Sequence, residues 1–436
     1  MDHDTAATFS AYRSVLKREL VCALGCTEPI AVAYAAALAR KVLGAEPTRL
    51  LAGCSGNIIK NVKSVTVPNS DGMHGIEAAA TLGAVVGNAE SALEVLESVT
   101  SSDIARTREL VADPAYCTVE LVEDVPNLYI DITAEAAGHT ARVVIAEHHT
   151  DVALVERDGE ELYRAGTTQG APDPADAQAA NDLLTIEGIL AFADAGALGD
   201  AREVLERQLM LNDAISREGL DNPWGAEVGR TLIAHFGESP SVRARARAAA
   251  GSDARMNGCP KPVVINCGSG NQGITCALPV LEYAEATGVD RERLLCALAV
   301  SDLTAVHLKS YIGSLSAFCG VVCAAAGAGA GIAWMEGCGY DVVAGTIINT
   351  IGNVGGIVCD GAKSSCAAKI STAVDAALVG LEMARSGNGF HAGEGLVRGT
   401  LEETIASMGY VGRVGMKPTD VEILNIMIGK TDVACC

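Results

Sequence analysis

Cysteine is the residue type in this sequence that offers the most chemistry. Fifteen of the 436 residues are cysteines, and a thiolate can act as a nucleophile, a base or a metal ligand. An isolated cysteine in a core rich in glycine and alanine usually packs as a small apolar side chain, and we expect this of most of them. No CxxC pair occurs, which disfavours a zinc ribbon or a ferredoxin-type cluster. Cys359 and Cys366 stand out because they flank a turn-rich segment, "VCDGAKSSC".

Two polar glycine loops have the composition of an anion-binding site. They are "CSGNIIKN", residues 54–61, and "NCGSGNQGIT", residues 266–275. Backbone N–H groups and polar side chains in such loops can bind a carboxylate, although ordinary tight turns use the same residue types. The candidate substrate-binding residues in these loops are Ser55, Gly56, Asn57, Ser269, Gly270, Asn271 and Gln272.

Few ionisable side chains accompany the apolar segments. Lys309 stands at the edge of an uncharged region, where a lysine is usually paired or functional. It therefore either neutralises a carboxylate or a cofactor's charge, or forms a structural ion pair. We expect His307 to be a core residue, and Lys363 and the His148–His149 pair to be solvated.

The charge of the chain argues against several classes of partner. The formal net charge is −22, and the lysines and arginines form no basic stripe, so nucleic acid is not expected as a partner. The first 25 residues contain no apolar run of the signal-peptide type. We therefore expect a cytoplasmic protein whose cysteines are reduced thiols or metal ligands.

A membrane span is the alternative to a buried helix at residues 310–335, which contain no Asp, Glu, Lys, Arg or His. A span needs about 20 apolar residues. This stretch is built from Gly, Ala, Ser and Cys rather than Leu, Ile and Phe, and it lacks basic flanks. We expect it, and the uncharged stretch 342–359, to be buried at the centre of a globular domain and not in a membrane.

Hydrophobic periodicity and turn residues predict an α+β protein with three parts. Residues 1–47 form two helices, which end near Gly25 and at Gly44, and Thr27 and Glu28 either cap the second of these or bind substrate. Residues 48–170 form an α+β module with a mostly antiparallel sheet, whose β-rich runs include "VKSVTVP". After a linker rich in Gly, Pro and Asp, residues 177–436 form a large all-helical domain around buried Gly/Ala-rich helices.

Five segments of the chain together resemble one family. They are "GCTEPIA", "CSGNIIKN", "NCGSGNQGIT", "SYIGSLSAFCG" and "NTIGNVGGIVCDGAKSSCAAKIS". Their residues and their order are similar to those of the L-cysteine desulfidase family, which is related to the iron–sulfur L-serine dehydratases. The resemblance extends from residue 25 to residue 371.

The resemblance implies a [4Fe–4S] cluster on three cysteines, the first forty positions before the second and the second seven before the third. Cys319, Cys359 and Cys366 have this spacing, whereas Cys323, the alternative first ligand, does not. Three thiolates leave one iron open to a substrate. The resemblance also implies that Cys26 is the catalytic base. A cysteine at a helix N-terminus has a lowered pKa, and we expect the Cys26 thiol to be partly ionised near neutral pH.

The implied activity is β-elimination of L-cysteine to pyruvate, ammonia and sulfide, without pyridoxal phosphate. The runner-up is an iron–sulfur L-serine dehydratase with the same chemistry. A non-catalytic iron–sulfur sensor of cysteine or redox state and a membrane transporter are alternatives from other classes. We further expect a homodimer, because Gly/Ala-rich faces suit self-association. For the C-terminal Cys435 and Cys436 the usual interpretation is a frayed terminus, and the hypothesis that the resemblance to the serine dehydratases adds is that one of them reaches the open iron when substrate is absent.

Overall fold

The structure is a computed structural model that describes residues 3–166, 174–313 and 315–431. The α-helices in this part of the chain are α1 (His3–Glu19), α2 (Thr27–Leu43), α3 (Gly56–Val62), α4 (Gly75–Val86), α5 (Ser101–Val111), α6 (Pro174–Asp182), α7 (Ile186–Asp194), α8 (Arg202–Asp221), α9 (Val228–Phe236), α10 (Pro240–Met256), α11 (Gly270–Thr287), α12 (Arg291–Ser310), α13 (Val321–Met335), α14 (Tyr340–Val354), α15 (Cys366–Arg385), α16 (Leu401–Tyr410) and α17 (Lys417–Met427). The strands are β1 (Cys22–Leu24), β2 (Arg49–Cys54), β3 (Cys117–Leu121), β4 (Tyr129–Ala136), β5 (His139–Ala146), β6 (Val152–Arg157), β7 (Glu160–Arg164) and β8 (Pro262–Val264).

Six of these strands form one sheet in the order β3-β2-β4-β5-β6-β7. The β2–β3 pair is parallel and the other neighbours are antiparallel. The α+β class and the mostly antiparallel sheet are therefore confirmed. The prediction of a strand at "VKSVTVP" is wrong, because this segment forms only an isolated bridge between Thr66 and His74. Pro68 has no N–H to donate, and Asn69 turns the chain with a φ of 55°.

Helix α2 packs against α4 and against strands β4 and β5. Its buried face is rich in alanine, which lets the α4 backbone come close. A Cβ atom at Gly83 would lie 2.2 Å from the carbonyl oxygen of Ala33. The helix ends, as predicted, at Gly44, which has the left-handed φ of 78°. The close contact with α4 at Ala33 and the end at Gly44 together fix the position of α2.

A second, two-stranded sheet joins the N-terminal segment to the helical region. We expected the first helix to continue to about Gly25, but α1 ends at Glu19. Residues 22–24 instead pair antiparallel with β8 as strand β1. β1 runs directly into the "GCTEP" segment, and β8 runs into the "NCGSGNQG" loop. This short ladder therefore places two of the five motifs side by side.

Helix α13 is the uncharged helix that the sequence places at the centre of the fold. Its residues are buried throughout, and glycines allow it to lie against α12. A Cβ atom at Gly327 would be 2.3 Å from the carbonyl oxygen of Ser301, and one at Gly331 would be 2.6 Å from that of Ala297. Within the described ranges, no helix combines the length and the apolarity needed to cross a membrane.

Two sequence predictions concern parts of the chain that are not described. The predicted linker, residues 166–176, falls mostly on 167–173, and Cys435 and Cys436 follow the last described residue. On the C-terminal side of the linker, the predicted all-helical region also contains strand β8.

Candidate active site

A cavity of about 300 Å³ lies where the motif segments meet. Its walls come from the start of α2, the turn between β5 and β6, the start of α11, the end of α12 and the segments around α13 to α15. The thiols of Cys26, Cys319, Cys359 and Cys366 all line this cavity. Residues more than 300 positions apart in the chain thus face one space.

Cys319 and Cys359 are held together by backbone hydrogen bonds. The N–H of Cys319 donates to the carbonyl of Ile357 at 3.0 Å, and the N–H of Cys359 donates to that of Ala317 at 2.6 Å. Phe318 and Val358 form the antiparallel bridge between these bonds. The loop after α14 is thereby paired with the segment that leads into α13.

The third cysteine of this group, Cys366, begins α15. Its Sγ lies 3.8 Å from the carbonyl oxygen of Gly361. Gly361 has a φ of 95°, and a Cβ atom there would lie 2.3 Å from the carbonyl oxygen of Lys60. Only glycine fits this position without strain, so the turn between Cys359 and Cys366 depends on it.

The thiols of Cys319 and Cys359 also share a hydrogen bond. This bond, together with burial, raises the pKa of Cys319 well above its usual value. The same bond lowers the pKa of Cys359 to about 6, and the nearby Lys60 ammonium acts in the same direction against burial. Burial raises the pKa of Cys366. Of the three sulfurs, that of Cys359 is therefore the one that ionises most readily.

These three thiols fit an iron–sulfur cluster by their chemistry. Thiolates are the usual ligands of such clusters, and lysines surround the site. The Nζ of Lys60 lies 3.4 Å from the carbonyl oxygen of Cys359, and that of Lys369 lies 2.7 Å from that of Val358. Within the described part of the chain, no three His, Cys, Asp or Glu side chains are placed to hold a single metal ion. In a cluster, each thiolate binds a different iron.

Cys323, the alternative first ligand, lies elsewhere. It is fully buried in the apolar core, in the first turn of α13, and it is not among the residues that line the cavity. Its pKa is raised to about 12 by burial. This is the environment of a small apolar side chain.

Cys26 and Glu28 form a pair at the start of α2. The Sγ of Cys26 donates to Oε2 of Glu28 at 3.1 Å, and Nδ2 of Asn61 donates to Oε1 at 3.2 Å. Burial raises the pKa of Cys26 well above its usual value, and the Glu28 carboxylate adds to the rise. The expectation of a lowered Cys26 pKa is therefore wrong for the substrate-free site, because burial and a neighbouring carboxylate outweigh the helix N-terminus.

Glu28 keeps its charge in spite of its burial. Burial alone would raise the pKa of this carboxyl group, but the nearby His149, the hydrogen bond from Cys26 and the charge of Arg255 together lower it. Thr27, which we expected to be the cap, is the first residue of the helix, and Cys26 is the N-cap residue. The Thr27 hydroxyl donates to the carbonyl of Gly268 at 2.8 Å and so ties α2 to the "NCGSGNQG" loop.

The "NCGSGNQG" loop supplies part of the cavity wall. Ser269, Asn271 and Gln272 line the cavity, whereas Gly270 does not. The amide oxygens of Asn271 and Gln272 are buried and have no hydrogen-bond donor among the described residues. Unsatisfied acceptors of this kind favour a ligand that brings donors.

A buried network of polar side chains holds the start of this loop in place. Nδ2 of Asn266 and Nε2 of Gln208 donate to Oδ1 of Asp302 at 2.8 and 2.9 Å. Burial raises the pKa of Asp302 to about 7, and these two hydrogen bonds limit the rise. The loop is thus anchored to α8 and α12.

The "CSGNIIKN" loop is not part of the cavity wall, except at its end. Ser55 caps α3 by accepting from the N–H of Ile58 at 3.3 Å, and a Cβ atom at Gly56 would meet Leu424 at 2.5 Å. Ser55, Gly56 and Asn57 do not line the cavity, but Asn61 does. The loop therefore acts mainly as a helix start that packs against α17.

Three basic residues near the apolar segments have partners. The Nζ of Lys309 lines the cavity and donates to the carbonyl of Gly313. His307 is buried, as expected, with Nε2 2.8 Å from Glu402. Lys363 forms an ion pair with Asp360 at 2.5 Å.

The residues of the cavity that sequence reasoning missed include three polar ones, Asn61, His149 and Arg255. His148 is exposed, as expected, and pairs with Asp151, but His149 turns inward and its buried Nε2 has no partner among the described residues. Burial lowers the pKa of His149. No local pattern distinguishes these residues, because their neighbours in space come from distant segments.

Comparison with known proteins identifies the family of the chain. A profile described as "Serine dehydratase alpha chain" matches residues 90–425. The chain is 47% identical to a UPF0597 protein of Desulfitobacterium hafniense, and the match covers 97% of each chain. It is 47% identical to a UPF0597 protein of Finegoldia magna over 96% of this chain and 99% of the relative. For a Treponema denticola relative of the same name, identity is 42%, with 96% and 97% covered. The resemblance seen in the five motifs is thus confirmed at the level of the family, and the chain belongs to the iron–sulfur serine dehydratase alpha chain family.

Proposed function

We propose that this protein is a [4Fe–4S]-dependent L-cysteine desulfidase, a lyase that converts L-cysteine to pyruvate, ammonia and sulfide. One observation carries the proposal: the thiols of Cys319, Cys359 and Cys366 line the same cavity as the Cys26–Glu28 pair. A group of potential cluster ligands and a proton-transfer pair thus face one space that can hold a small substrate.

Cys319, Cys359 and Cys366 would hold the cluster. When bound, it would supply an open iron that acts as a Lewis acid towards the leaving group of the substrate. The lysines around this site, Lys60 and Lys369, offset the negative charge of the thiolates. No pyridoxal phosphate is required for this chemistry.

Cys26 and Glu28 would move the proton. In the substrate-free site the proton is on the Cys26 sulfur, because the pKa of the thiol is raised and that of the Glu28 carboxyl group is lowered. A substrate ammonium group that enters beside Cys26 stabilises the thiolate. Transfer of the thiol proton to Glu28 then leaves a thiolate, which removes the proton from Cα of the substrate.

The electrons of the Cα–H bond form the Cα–Cβ double bond, and the Cβ–S bond breaks with its electron pair on sulfur, which leaves as HS⁻. The other product, 2-aminoacrylate, tautomerises to an imine, and water hydrolyses this imine to pyruvate and ammonia. These last steps need no further protein group.

L-Serine is the second candidate substrate, with hydroxide in place of HS⁻ as the leaving group. The match to the serine dehydratase alpha chain favours it, whereas the closer likeness of the five motifs to the desulfidase family favours L-cysteine. Both substrates use the same residues in the same roles.

The test is purification without oxygen, followed by a visible spectrum, iron and labile-sulfide analysis, and assays of pyruvate and sulfide with each amino acid. We expect a coloured protein with a higher kcat/KM for L-cysteine than for L-serine. The reverse preference would make it a serine dehydratase, and colour without turnover would favour a sensor. A colourless, iron-free and fully active protein would overturn the cluster assignment.

We also propose that the protein works as a cytoplasmic homodimer. Tyr410, Val421 and Ile426 expose apolar side chains on α16 and α17, and such side chains suit a contact between two copies. Light scattering of the purified protein tests the oligomeric state, and a monomer at micromolar concentration contradicts the proposal.

A further inference from the structure

Arg255 is a buried cation in the cavity wall. It lies in the last turn of α10, is 2% exposed and lines the cavity. Its Nε donates to the carbonyl of Gly25 at 2.9 Å. The guanidinium is therefore fixed beside Cys26, at the junction of the "GCTEP" and "NCGSGNQG" segments.

The charge of Arg255 is not paired. Within the described residues, its guanidinium forms no ion pair, and the bond to Gly25 is its one hydrogen bond. Arg247, on the same helix and also buried, pairs with Asp213, Glu282 and Glu285. The charged Glu28 carboxylate lies in the same cavity and feels the charge of Arg255, but the two side chains form no ion pair. A buried charge is costly unless it is compensated, so a guanidinium that faces a cavity and has no direct carboxylate partner among the described residues indicates an anionic ligand.

The start of α11 adds to the attraction for an anion. A Cβ atom at Gly270 would lie 2.3 Å from Nε of Arg255, so the guanidinium occupies the space that a side chain at this position would fill. Gly270 is the first residue of an 18-residue helix, whose N-terminus carries a partial positive charge. Two independent sources of positive potential thus meet at one end of the cavity.

The same cavity contains acceptors that suit a cation. Oδ1 of Asn61 and Oδ1 of Asn271 are buried and have no donor among the described residues. The charged Glu28 carboxylate lies next to Asn61 and accepts a hydrogen bond from its Nδ2. A carboxylate ligand cannot use these oxygens, but an ammonium group can donate to them.

We propose that Arg255 binds the α-carboxylate of the substrate, while Asn61 and Asn271 accept hydrogen bonds from its α-ammonium group. The site then selects a zwitterionic α-amino acid. Its side chain points to the three cysteines on the remaining wall. The inference deepens the proposed function, on which the identity of the amino acid depends, but recognition of the head group can be measured on its own.

This assignment replaces Lys309, which the sequence suggested for the carboxylate. Lys309 donates to the carbonyl of Gly313, so part of its donor capacity is already used. The terminal amino groups of Arg255 form no such bond within the described residues, and their planar fork matches a carboxylate.

The test compares the iron-loaded wild type with Arg255→Gln, Arg255→Lys and the control Arg245→Gln. Arg245 lies on the same helix and pairs with Asp375. Calorimetry without oxygen measures binding of L-alanine, which has no leaving group, of ethylamine, which lacks the carboxylate, and of propionate, which lacks the ammonium. The visible spectrum and thermal unfolding of each variant verify that the cluster and the fold are retained.

We expect Arg255→Gln to weaken L-alanine binding by about 10- to 100-fold and to leave ethylamine binding unchanged. Arg255→Lys should be intermediate, and Arg245→Gln should behave like the wild type. The inference is wrong if Arg255→Gln binds L-alanine as the wild type does, if it loses ethylamine equally, or if the wild type does not prefer L-alanine to ethylamine. A wild type that binds L-alanine but cleaves neither L-cysteine nor L-serine contradicts the proposed function and not this inference.

Discussion

The thiol of Cys26 donates a hydrogen bond to the carboxylate of Glu28, with 3.1 Å between Sγ and Oε2. The two residues are the N-cap and the second residue of α2, so the helix itself sets their separation. The thiol and the carboxylate have opposite pKa shifts, and each helps to cause that of the other. The pair is therefore coupled, as the proposed proton transfer between the two groups requires.

Replacement of Glu28 by Gln tests this coupled pair. The amide cannot take the Cys26 proton, and loss of such a positioned base typically costs about 10²- to 10⁴-fold in kcat. We expect a fall in this range with an unchanged visible spectrum and iron content. Glu19→Gln is the matched control, since Glu19 also lines the cavity but does not contact Cys26. Equal losses in both variants would show that only the charge of the cavity matters.

Replacement of single cysteines by Ala tests the cluster ligands. Cys319→Ala, Cys359→Ala and Cys366→Ala should each lose most of the iron and the colour, because each removes one of the thiolates proposed to hold the cluster. Cys323→Ala should retain both, because Cys323 packs in the apolar core of α13. Iron analysis after purification without oxygen is the measurement. If Cys323→Ala loses its iron and Cys319→Ala does not, Cys323 and not Cys319 is the first cluster ligand.

Lys60 should be important for both stability and cluster retention. It is buried, forms an ion pair with Asp420 of α17 and contacts the carbonyl of Cys359. Lys60→Met leaves the largely buried Asp420 carboxylate unpaired, which costs about 3–5 kcal/mol in the free energy of unfolding. Urea unfolding measures this loss, and a second substitution, Asp420→Leu, should restore part of it.

Lys63→Met is the control for this experiment, because Lys63 is exposed and contacts only the carbonyl of Met427 within the described residues. We expect a change within about 0.5 kcal/mol. We also expect faster loss of iron in air from Lys60→Met than from Lys63→Met. Similar rates of iron loss from the two variants would show that the Lys60–Asp420 ion pair does not affect iron retention.

The raised pKa of Asp302 predicts that the free energy of unfolding depends on pH. Its pKa is about 7 in the folded protein, against 3.8 as the usual value. The unfolded chain therefore binds fewer protons between these pH values, and stability falls as pH rises from about 4 to about 7. The contribution is at most about 4 kcal/mol. Asp302→Asn keeps the acceptor oxygen, and its unfolding free energy should fall less than that of the wild type over this pH range. If the unfolding free energies of Asp302→Asn and the wild type change with pH in parallel, the raised pKa of Asp302 is contradicted.

Elements that have a local sequence pattern could be predicted from the sequence. Strands β2 to β6 follow alternating or β-rich runs, and α2 ends at Gly44 as its composition predicts. Strand β1 was missed because three residues carry no periodicity and pair only with β8, about 240 positions away. A pairing at that distance is not visible in a local pattern.

The same limit applies to the cavity. The family spacing points to Cys319, Cys359 and Cys366, but Arg255 and His149 join them only because α10 and the β5–β6 turn fold against α2 and α11. The pKa of Cys26 depends on burial and on Glu28, and burial is a property of the packed chain. A helix-terminus argument alone therefore gave the wrong direction.

The backbone ladder between residues 317–319 and 357–359 has a consequence for tolerance to sequence change. Because peptide groups and not side chains join these two segments, the spacing of Cys319 and Cys359 depends on main-chain geometry. Replacements of neighbouring side chains should therefore displace the two sulfurs little.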